Sequence, residues 1–250
     1  MNNTLKKGNS QAMVKYSICI TNYNARHTLR QCLESVLSQI DSDFEVVVSD
    51  NFSTDGSREI LEECARNGKI KLVIEHSNRG RGRQIAFENS NGDYIISGID
   101  TDDVIKPVLK DVLRLYHEKH EGYMLSFGTI HIIPRHLVIA LGGWRDLQWG
   151  EDVDFAKRIE AMGKSHYFPD VGRVVGKKGH LKRGFLQRVR GRYLYYQSRY
   201  KIGFSVLDDL KAANWYKRPI EILIAIFALA VIKLKHVDRF GYESDQRARE

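Results

Sequence analysis

The first hundred residues alternate between short apolar runs and longer segments of helical periodicity, and this alternation constrains the fold more than any other feature of the chain. Four runs have the length and composition of strands, at residues 16–21, 44–49, 70–74 and 94–99. Between them, apolar side chains recur at helical spacing over 29–37 and 60–65, and a further helix is predicted over 81–89. A β-α-β-α-β-α-β order implies a mainly parallel sheet with right-handed crossovers. We therefore predict an α/β fold.

The chain is less regular after residue 105. Helices are predicted over 106–120, 135–141 and 151–162, and a strand over 124–127. After Val175 the alternation gives way to helical periodicity alone. We therefore divide the chain into a domain at 13–180, with halves at 13–105 and 106–180, and a basic, amphipathic helical tail at 181–250.

The positive charge of the chain is concentrated in one segment. The formal net charge is +8, yet residues 171–207 contain no acidic residue and ten basic ones, so the rest of the chain sums to about −2. A local positive field indicates a local anionic partner, which can be phosphates, an anionic membrane surface or nucleic acid.

The cysteines and the N-terminus predict a cytoplasmic protein. Cys19, Cys32 and Cys64 show no C-x-x-C spacing, and their odd number is typical of buried thiols in a reducing compartment. Residues 1–11 are polar and lack the apolar core of a signal peptide, so we do not expect secretion by that route.

An apolar run at 222–232 predicts a helix that reaches a membrane surface without crossing it. Eleven helical residues span ~16 Å, against ~30 Å of hydrocarbon. Trp215 and Tyr216 precede the run and basic residues flank it on both sides, which suits an interfacial helix on the cytosolic face. The alternative is a buried helix that packs on the domain or on a second copy in a homo-oligomer.

Three carboxylates follow the fourth strand directly: Asp100, Asp102 and Asp103. In open α/β sheets ligands bind beyond the carboxyl ends of strands, and crowded carboxylates repel one another unless a cation lies between them. Oxygen ligands suit magnesium or manganese, and magnesium in turn holds substrate phosphates. The cluster predicts a metal–diphosphate site, and the alternative is a solvated turn that caps the helix over 106–120.

Further motifs occur at fixed places relative to the predicted strands. They are Thr21-Asn22-Tyr23-Asn24, the segment from Asp50 to Ser57, Asn78 with Gly80 and Arg83, Asp100-Thr101-Asp102-Asp103, Gly142-Gly143-Trp144, Glu151-Asp152 and His180. In this order, over roughly 16–180, they resemble the motifs of the nucleotide-sugar-dependent glycosyltransferases of family 2.

The resemblance implies a Rossmann-like GT-A fold, with the nucleotide-sugar in the half at 13–105 and the acceptor in the half at 106–180. It assigns nucleotide contacts to Thr21, Asn22, Tyr23, Asp50, Asn51, Asp55, Arg83 and Asp100. It assigns a divalent cation, magnesium or manganese, to Asp100, Asp102, Asp103 and His180. It makes Asp152, beside Glu151, the general base that takes the proton of the acceptor, with inversion at the anomeric carbon.

Departures from the family pattern limit what can be inferred. Asn51 replaces a second acid, so UDP-, GDP- and dTDP-sugars all stay open as donors. The Gln-x-x-Arg-Trp signature of processive members is absent from the segment after Gln187, so we expect transfer of a single sugar to a lipid-linked or glycan acceptor. Several of these residues also have purely structural alternatives: helix capping for Asp50 and Asp55, first-turn dipole partners for Glu151 and Asp152, and a solvated side chain for His180.

Two other functions compete with this prediction. The helix around Tyr193, Tyr196 and Tyr200 is rich in arginine, and aromatic and basic side chains together can bind single-stranded nucleic acid. A sugar nucleotidyltransferase would share the sheet type, but it needs a Gly-rich loop after the first strand, where this chain has the motif from Thr21 to Asn24.

Overall fold

The structure is a computed structural model, and it describes residues 14–127, 130–168, 174–176, 185–201 and 219–234. The strands in these residues are β1 (Tyr16–Asn22), β2 (Phe44–Asp50), β3 (Lys71–Ile74), β4 (Tyr94–Ser97), β5 (Met124–Phe127), β6 (Ile130–Pro134) and β7 (Ser165–Tyr167). The helices are α1 (Arg26–Leu37), α2 (Ser57–Arg66), α3 (Arg79–Glu88), α4 (Leu109–Lys119), α5 (Arg135–Leu141), α6 (Glu151–Ala161), α7 (Phe185–Lys201) and α8 (Pro219–Leu234). His180 lies outside the described residues.

The strands form one seven-stranded sheet in the order β3-β2-β1-β4-β6-β5-β7. β1 is parallel to β2 and β4, β3 is parallel to β2, and β7 is parallel to β5. β6 is antiparallel to both of its neighbours, β4 and β5. The predicted α/β fold with a mainly parallel sheet is therefore confirmed.

Both faces of the sheet are covered by apolar side chains, as a sheet of this type requires. Ile18 and Ile20 of β1 belong to one core cluster with the apolar faces of α1 and α4, whereas Cys19 points to the other face and packs with side chains of α3, α5 and α6. All three cysteines are free thiols. Burial raises the pKa of Cys19 and of Cys32 to about 12, so both thiols act as apolar core groups, as the sequence predicted.

The turn after β4 differs from the sequence prediction. The strand ends at Ser97 rather than at residue 99, because Gly98 has a φ of +88° and turns the chain there. Ile105 then pairs with Val175 in an isolated bridge, which keeps this stretch extended, so α4 begins at Leu109 rather than at residue 106. The early turn brings the acidic cluster to the edge of the sheet instead of extending the strand.

The helices α7 and α8 pack against each other. Tyr196 of α7 is buried in a cluster with Ala225 and Ala228 of α8. This tyrosine is therefore a core residue of the helix pair and does not present its ring to a nucleic acid. Among the described helices, none combines the length and the apolar character that crossing a membrane would require.

Candidate active site

A cleft lies at the carboxyl edge of the sheet, where β1, β2 and β4 end beside one another. Asn22, the last residue of β1, is the register partner of Asp50, the last residue of β2. The backbone N–H of Asn51 extends this pairing by donating to the carbonyl of Asn22 at 3.1 Å. The cleft beyond these strand ends has a volume of about 1110 Å³. Of the residues predicted for the site, it is lined by Thr21, Asn22, Tyr23, Asn51, Asp100 and Asp102.

Asp50 was predicted to contact the nucleotide, but the structure buries it behind the wall of the cleft. Its Oδ1 accepts hydrogen bonds from Asn22 Nδ2 at 2.7 Å and from Ser53 Oγ at 2.6 Å. Its Oδ2 accepts from the backbone N–H of Ser53 at 2.9 Å. A buried carboxylate needs such donors, and here they fix the loop that follows β2. Asp50 therefore shapes the cleft without lining it.

Asp55 likewise has the capping role that the sequence left open, rather than a place in the lining of the cleft. Its Oδ2 accepts from the backbone N–H of Arg26 at 2.9 Å, and its Oδ1 accepts from the backbone N–H of Ser57 at 3.0 Å. These donors stand at the first residues of α1 and α2. Partial burial opposes the charge, but the hydrogen bonds from Ser57 and Arg26 outweigh it and lower the pKa of Asp55.

Two residues in left-handed backbone conformations hold the adjacent loops. Asn24 has a φ of +49°, and its Oδ1 accepts from the backbone N–H of Thr54 at 2.8 Å. Phe52 has a φ of +47°, and its ring stacks on that of His76 at 4.1 Å. Such strain persists only where the surroundings determine the backbone, which is typical of functional sites. Phe52 lies inside the motif from Asp50 to Ser57, but the sequence assigned no role to it.

The three carboxylates after β4 have two different roles. Asp100 and Asp102 line the cleft, and the side chain of Asp100 is 33% exposed. Asp103 is buried, and its Oδ2 accepts from the backbone N–H of Asp100 at 3.0 Å. One oxygen of the Asp103 carboxylate therefore closes the turn that presents Asp100, and the side chain of Asp103 stands behind the cleft rather than in its lining.

The remaining acids fit a divalent cation. Within the described residues, no cluster of three or more His, Cys, Asp and Glu side chains is arranged to hold a metal. Asp100 and Asp102 nevertheless supply carboxylate oxygens into a cleft with room for water and phosphate. Magnesium is held in this way, by one or two carboxylates together with substrate phosphates, and manganese also prefers oxygen ligands.

Arg83 was predicted to contact the nucleotide, but it forms a buried ion pair with the first residue of α6. Its Nε donates to Glu151 Oε1 at 3.0 Å, and its Nη2 lies 3.9 Å from Asp100 Oδ1. Burial raises the pKa of Glu151, although the charge of Arg83 opposes this shift. Burial alone would lower the pKa of Arg83, but the negative charges of Glu151 and Asp100 outweigh that effect and raise it. Arg83 therefore links α6 to the acidic turn from behind the cleft.

Asp152 stands in the first turn of α6, where free N–H groups favour a negative charge. It is half-buried, and its Oδ1 accepts from the backbone N–H of Val153 at 2.8 Å. The charge of Asp152 also acts on His131. Burial lowers the pKa of His131 to about 4; the negative charge of Asp152 opposes this shift, and the positive charge of Arg83 adds to it. Neither Asp152 nor Glu151 lines the cleft, and Arg83 connects Glu151 to Asp100 through two ion pairs.

Sequence reasoning missed part of the cleft wall. The missed residues include Arg79, Gln148, Trp149 and Arg190. Arg190 belongs to the basic segment, which the sequence assigned to a membrane or another anionic partner, and only the fold brings it beside the strand ends. Trp149 follows the Gly-Gly-Trp motif by a few residues and matched no pattern.

The sequence profile described as Glycosyl transferase family 2 matches residues 17–168, which is more than half of the chain. A glycosyltransferase of Nostoc sp., alr2836, is 36% identical over 98 residues, which cover 38% of this chain and 30% of the relative. The poly(ribitol-phosphate) β-N-acetylglucosaminyltransferase TarS of Staphylococcus aureus is 30% identical over 119 residues, or 45% of this chain and 21% of TarS. The chain thus spans less than a third of the length of these two relatives.

Solved structures share the fold. The mannosyltransferase PcManGT of Pyrobaculum calidifontis, in complex with GDP-Man and Mn²⁺, superposes with a TM-score of 0.62 at 19% identity, over 88% of this chain and 75% of that protein. TarS 1–349 in complex with UDP-GlcNAc superposes with a TM-score of 0.56 at 16% identity, over 76% of this chain and 68% of that one. With the family match and the order of motifs along the cleft, these likenesses lead to one conclusion: the chain belongs to glycosyltransferase family 2 and has a GT-A type fold.

Proposed function

We propose that this chain transfers a single sugar from a nucleoside-diphosphate sugar to an acceptor hydroxyl, with inversion at the anomeric carbon. The observation that carries the proposal is that Asp100 and Asp102 line the same cleft as the polar residues Thr21 and Asn51. It is supported by the ligands of the two structural neighbours, UDP-GlcNAc in TarS and GDP-Man with Mn²⁺ in PcManGT. UDP, GDP and dTDP are the candidate nucleotides for this chain.

In this proposal Asp100 and Asp102 would hold magnesium or manganese. When bound, the cation neutralises the charge that builds on the departing diphosphate. Arg83 and the buried Asp103 fix the carboxylate of Asp100 from behind, the first by charge and the second by the turn hydrogen bond. Preorganised ligands of this kind need little rearrangement when the cation arrives.

Asp152 is the proposed general base. The acceptor oxygen attacks the anomeric carbon, the bond from that carbon to the diphosphate oxygen breaks, and the electron pair leaves with the nucleoside diphosphate. The acceptor proton passes to the carboxylate of Asp152, a step typically worth ~10²–10⁴ in rate. Glu151 is held by Arg83, so it positions the start of α6 rather than taking the proton itself.

We further propose that the enzyme works on the cytosolic face of a membrane, where a lipid-linked or glycan acceptor is available. The support is that α8 leaves four large apolar side chains 57–79% exposed, at Leu223, Ile226, Phe227 and Leu234. The segment before it carries ten basic residues and no acidic one. An apolar helix face beside positive charge is the pattern of a helix that lies in an anionic lipid interface.

The test of the donor site is a calorimetric titration of the purified chain with UDP, GDP and dTDP, each with and without Mn²⁺. We expect one nucleotide to bind in a metal-dependent way and Asp102→Asn to abolish the metal dependence. Asp111→Asn serves as the matched control, because Asp111 is exposed on α4 and, within the described residues, its ion pair is an i,i+3 contact with Arg114.

A second arm of this experiment tests the base. Asp152→Asn should bind the same nucleotide as the unaltered chain while hydrolysis of the corresponding nucleotide-sugar, with water as acceptor, falls by ~10²–10⁴. If no nucleotide binds under any condition, the proposed donor site is wrong. If Asp152→Asn retains full turnover, the assignment of the base is wrong and the donor site stands.

A further inference from the structure

Two arginines in the wall of the cleft form no salt bridge among the described residues, although the charge of Arg79 acts on Glu151 over a longer distance. Arg79 is the first residue of α3, and Arg190 is an exposed residue of α7. Both line the cleft that contains Asp100 and Asp102. The two arginines of α3 that follow Arg79 do form salt bridges. Arg81 pairs with Glu75 and Glu88, and Arg83 pairs with Glu151.

Arg79 is held in place by an aromatic ring. Its guanidinium carbon lies 4.5 Å from the centre of the Trp149 ring, a distance typical of a cation–π contact. A guanidinium over an aromatic ring still has N–H groups that can donate to a phosphate. The contact with Trp149 therefore positions Arg79 at the cleft and leaves it able to donate hydrogen bonds.

The same ring brings α7 to the cleft. A Cβ atom added at Gly191 would lie 3.7 Å from Cζ2 of Trp149, so the backbone of α7 approaches the indole closely at that residue. Arg190 precedes Gly191, and both residues line the cleft. Trp149 thus contacts Arg79 and lies close to α7, and we call the part of the cleft wall formed by Arg79, Trp149 and Arg190 the rim.

The negative charges of the cleft and of its proposed ligand would be stabilised by cationic side chains at this rim. A nucleoside diphosphate brings negative charge, and the carboxylates of Asp100 and Asp102 add two more negative groups that a divalent cation would only offset. Arg83, the residue predicted to meet the nucleotide, is buried and paired with Glu151. The positive charge available to a ligand in the described part of the cleft comes from Arg79 and Arg190.

We propose that Arg79 and Arg190 bind the phosphate groups of the ligand, so that α7, which lies beyond the segment matched by the family profile, completes the active site. The proposal rests on the proposed transfer from a nucleoside-diphosphate sugar, and it names the diphosphate of the donor as the group bound. A phosphate on the acceptor would present the same chemistry, and the experiment below separates the two sources.

The variants are Arg79→Gln and Arg190→Gln, each with a control that removes the same charge two residues away. Arg81→Gln controls for Arg79, because Arg81 faces Glu75 and Glu88 outside the cleft. Arg192→Gln controls for Arg190, because Arg192 lies over the ring of Tyr195 at 5.3 Å and does not line the cleft. Thermal unfolding of all four variants checks that the fold is retained.

The readout is the dissociation constant, with Mn²⁺ present, for the nucleoside diphosphate that the unaltered chain binds, for the matching nucleoside, and for inorganic pyrophosphate. We expect each cleft variant to weaken diphosphate and pyrophosphate binding by on the order of tenfold or more, as loss of a charge-assisted contact does. Nucleoside binding should not change, and the two control variants should behave as the unaltered chain.

Other outcomes have equally definite meanings. If diphosphate affinity is unchanged but inorganic phosphate binds more weakly to the nucleotide-saturated variants than to the nucleotide-saturated chain, the pair holds a phosphate of the acceptor. If the cleft variants match their controls for every probe, the proposal is overturned. If the unaltered chain binds no nucleotide, the proposed function fails, while the pyrophosphate titration still decides whether the arginine pair binds phosphate.

Discussion

At the scale of single residues, a row of polar side chains crosses the sheet behind the cleft. His131 of β6 is the register partner of Ser97 on β4 and of Ser126 on β5. Its Nδ1 lies 2.9 Å from Ser126 Oγ, whereas its Nε2 is buried without a hydrogen-bond partner among the described residues. A buried imidazole of this kind stays neutral, because burial disfavours its protonated form and the nearby charge of Arg83 adds to that effect.

His131 predicts a specific loss of stability in acid. Its pKa is lowered to about 4 by burial, below the 6.5 of an exposed histidine, so the unfolded chain binds more protons than the native chain between these values. Stability should therefore fall as the pH drops from 6.5 to 4, by at most about 3 kcal/mol from this residue. Urea unfolding between pH 7 and pH 4 should show a smaller loss for His131→Gln than for the unaltered chain.

A matched variant keeps this test specific. His136→Gln removes an exposed histidine from the neighbouring helix α5 and should leave the pH dependence as it is in the unaltered chain. Equal slopes for the unaltered chain and for His131→Gln would show that His131 is not the group that titrates.

The residue types in the motifs indicated the chemistry of the site but not the direction of each side chain. Asp50, Asp55 and Asp103 were predicted as ligand contacts, and in the structure each accepts hydrogen bonds from its own or a neighbouring loop and lies outside the lining of the cleft. A carboxylate that can satisfy backbone N–H groups nearby does so, and sequence alone does not tell such an acid from one that faces a ligand. Asp100 and Asp102 reach the cleft because Asp103 supplies the acceptor for their turn.

At the scale of elements, the start of α3 is docked against the segment that leads into α6. The backbone N–H of Gly80 donates to the carbonyl of Leu147 at 2.8 Å, and the side chain of Asn78 donates to Asp146. The backbone N–H of Trp144 donates to Gln84 Oε1 at 2.9 Å. These contacts carry Trp149 to the cleft, so the rim depends on how closely the two elements approach.

Gly80→Ala should separate these elements. An added Cβ would lie 2.0 Å from the backbone oxygen of Arg145, which a rigid main chain cannot accommodate. We expect a loss of about 1–3 kcal/mol of stability in urea unfolding, as for an overpacked site, together with weaker nucleotide binding. The chain offers a contrasting glycine in Gly191, where the nearest described atom to an added Cβ is 3.7 Å away.

Gly191→Ala replaces a glycine inside α7 with a better helix former. It should leave stability unchanged or raise it by up to about 1 kcal/mol. A Gly80→Ala variant as stable as the unaltered chain would mean that the docking is not tight. A destabilised Gly191→Ala would mean that α7 meets the cleft more closely than the described contacts indicate.

Secondary structure was predictable where the apolar pattern was long and was missed where it was short. The parallel strands and their helices in the first half were found, with ends that differ by a few residues. β6 and β7 were missed because β6 runs directly into α5 and β7 has three residues. Such short strands depend on pairing with β4 and β5 rather than on their own periodicity.

At the scale of the whole molecule, the basic charge and the apolar surface lie on the same pair of helices. α8 buries Ala225 and Ala228 against α7 and leaves Ile226 and Phe227 exposed. Its 16 residues span ~24 Å as a helix, less than the ~30 Å of a bilayer core. The sequence predicted this helix but could not tell which of its faces would be covered, because that depends on the position of α7.

The membrane proposal is best tested by point variants on the exposed face of α8. Deleting residues 206–250 would also uncover Tyr196 and could release the chain from a membrane for that reason alone. Ile226→Glu combined with Phe227→Glu changes only side chains that are more than half exposed. Ile139→Glu is the matched control, because Ile139 is 64% exposed on α5, outside the helix pair.

Sedimentation with vesicles of phosphatidylcholine containing one part in three of phosphatidylglycerol should separate these variants. Each large apolar side chain inserted into lipid contributes about 1.5–3 kcal/mol, so the double variant should bind more than tenfold less tightly, whereas Ile139→Glu should bind as the unaltered chain does. Added salt should weaken binding further, because the basic segment contributes through charge.

The alternative is that a second copy of the chain covers α8. In that case the unaltered chain will not bind the vesicles, and the double variant will have a lower molecular mass in solution than the unaltered chain. Membrane binding and self-association therefore give opposite patterns in the same pair of measurements.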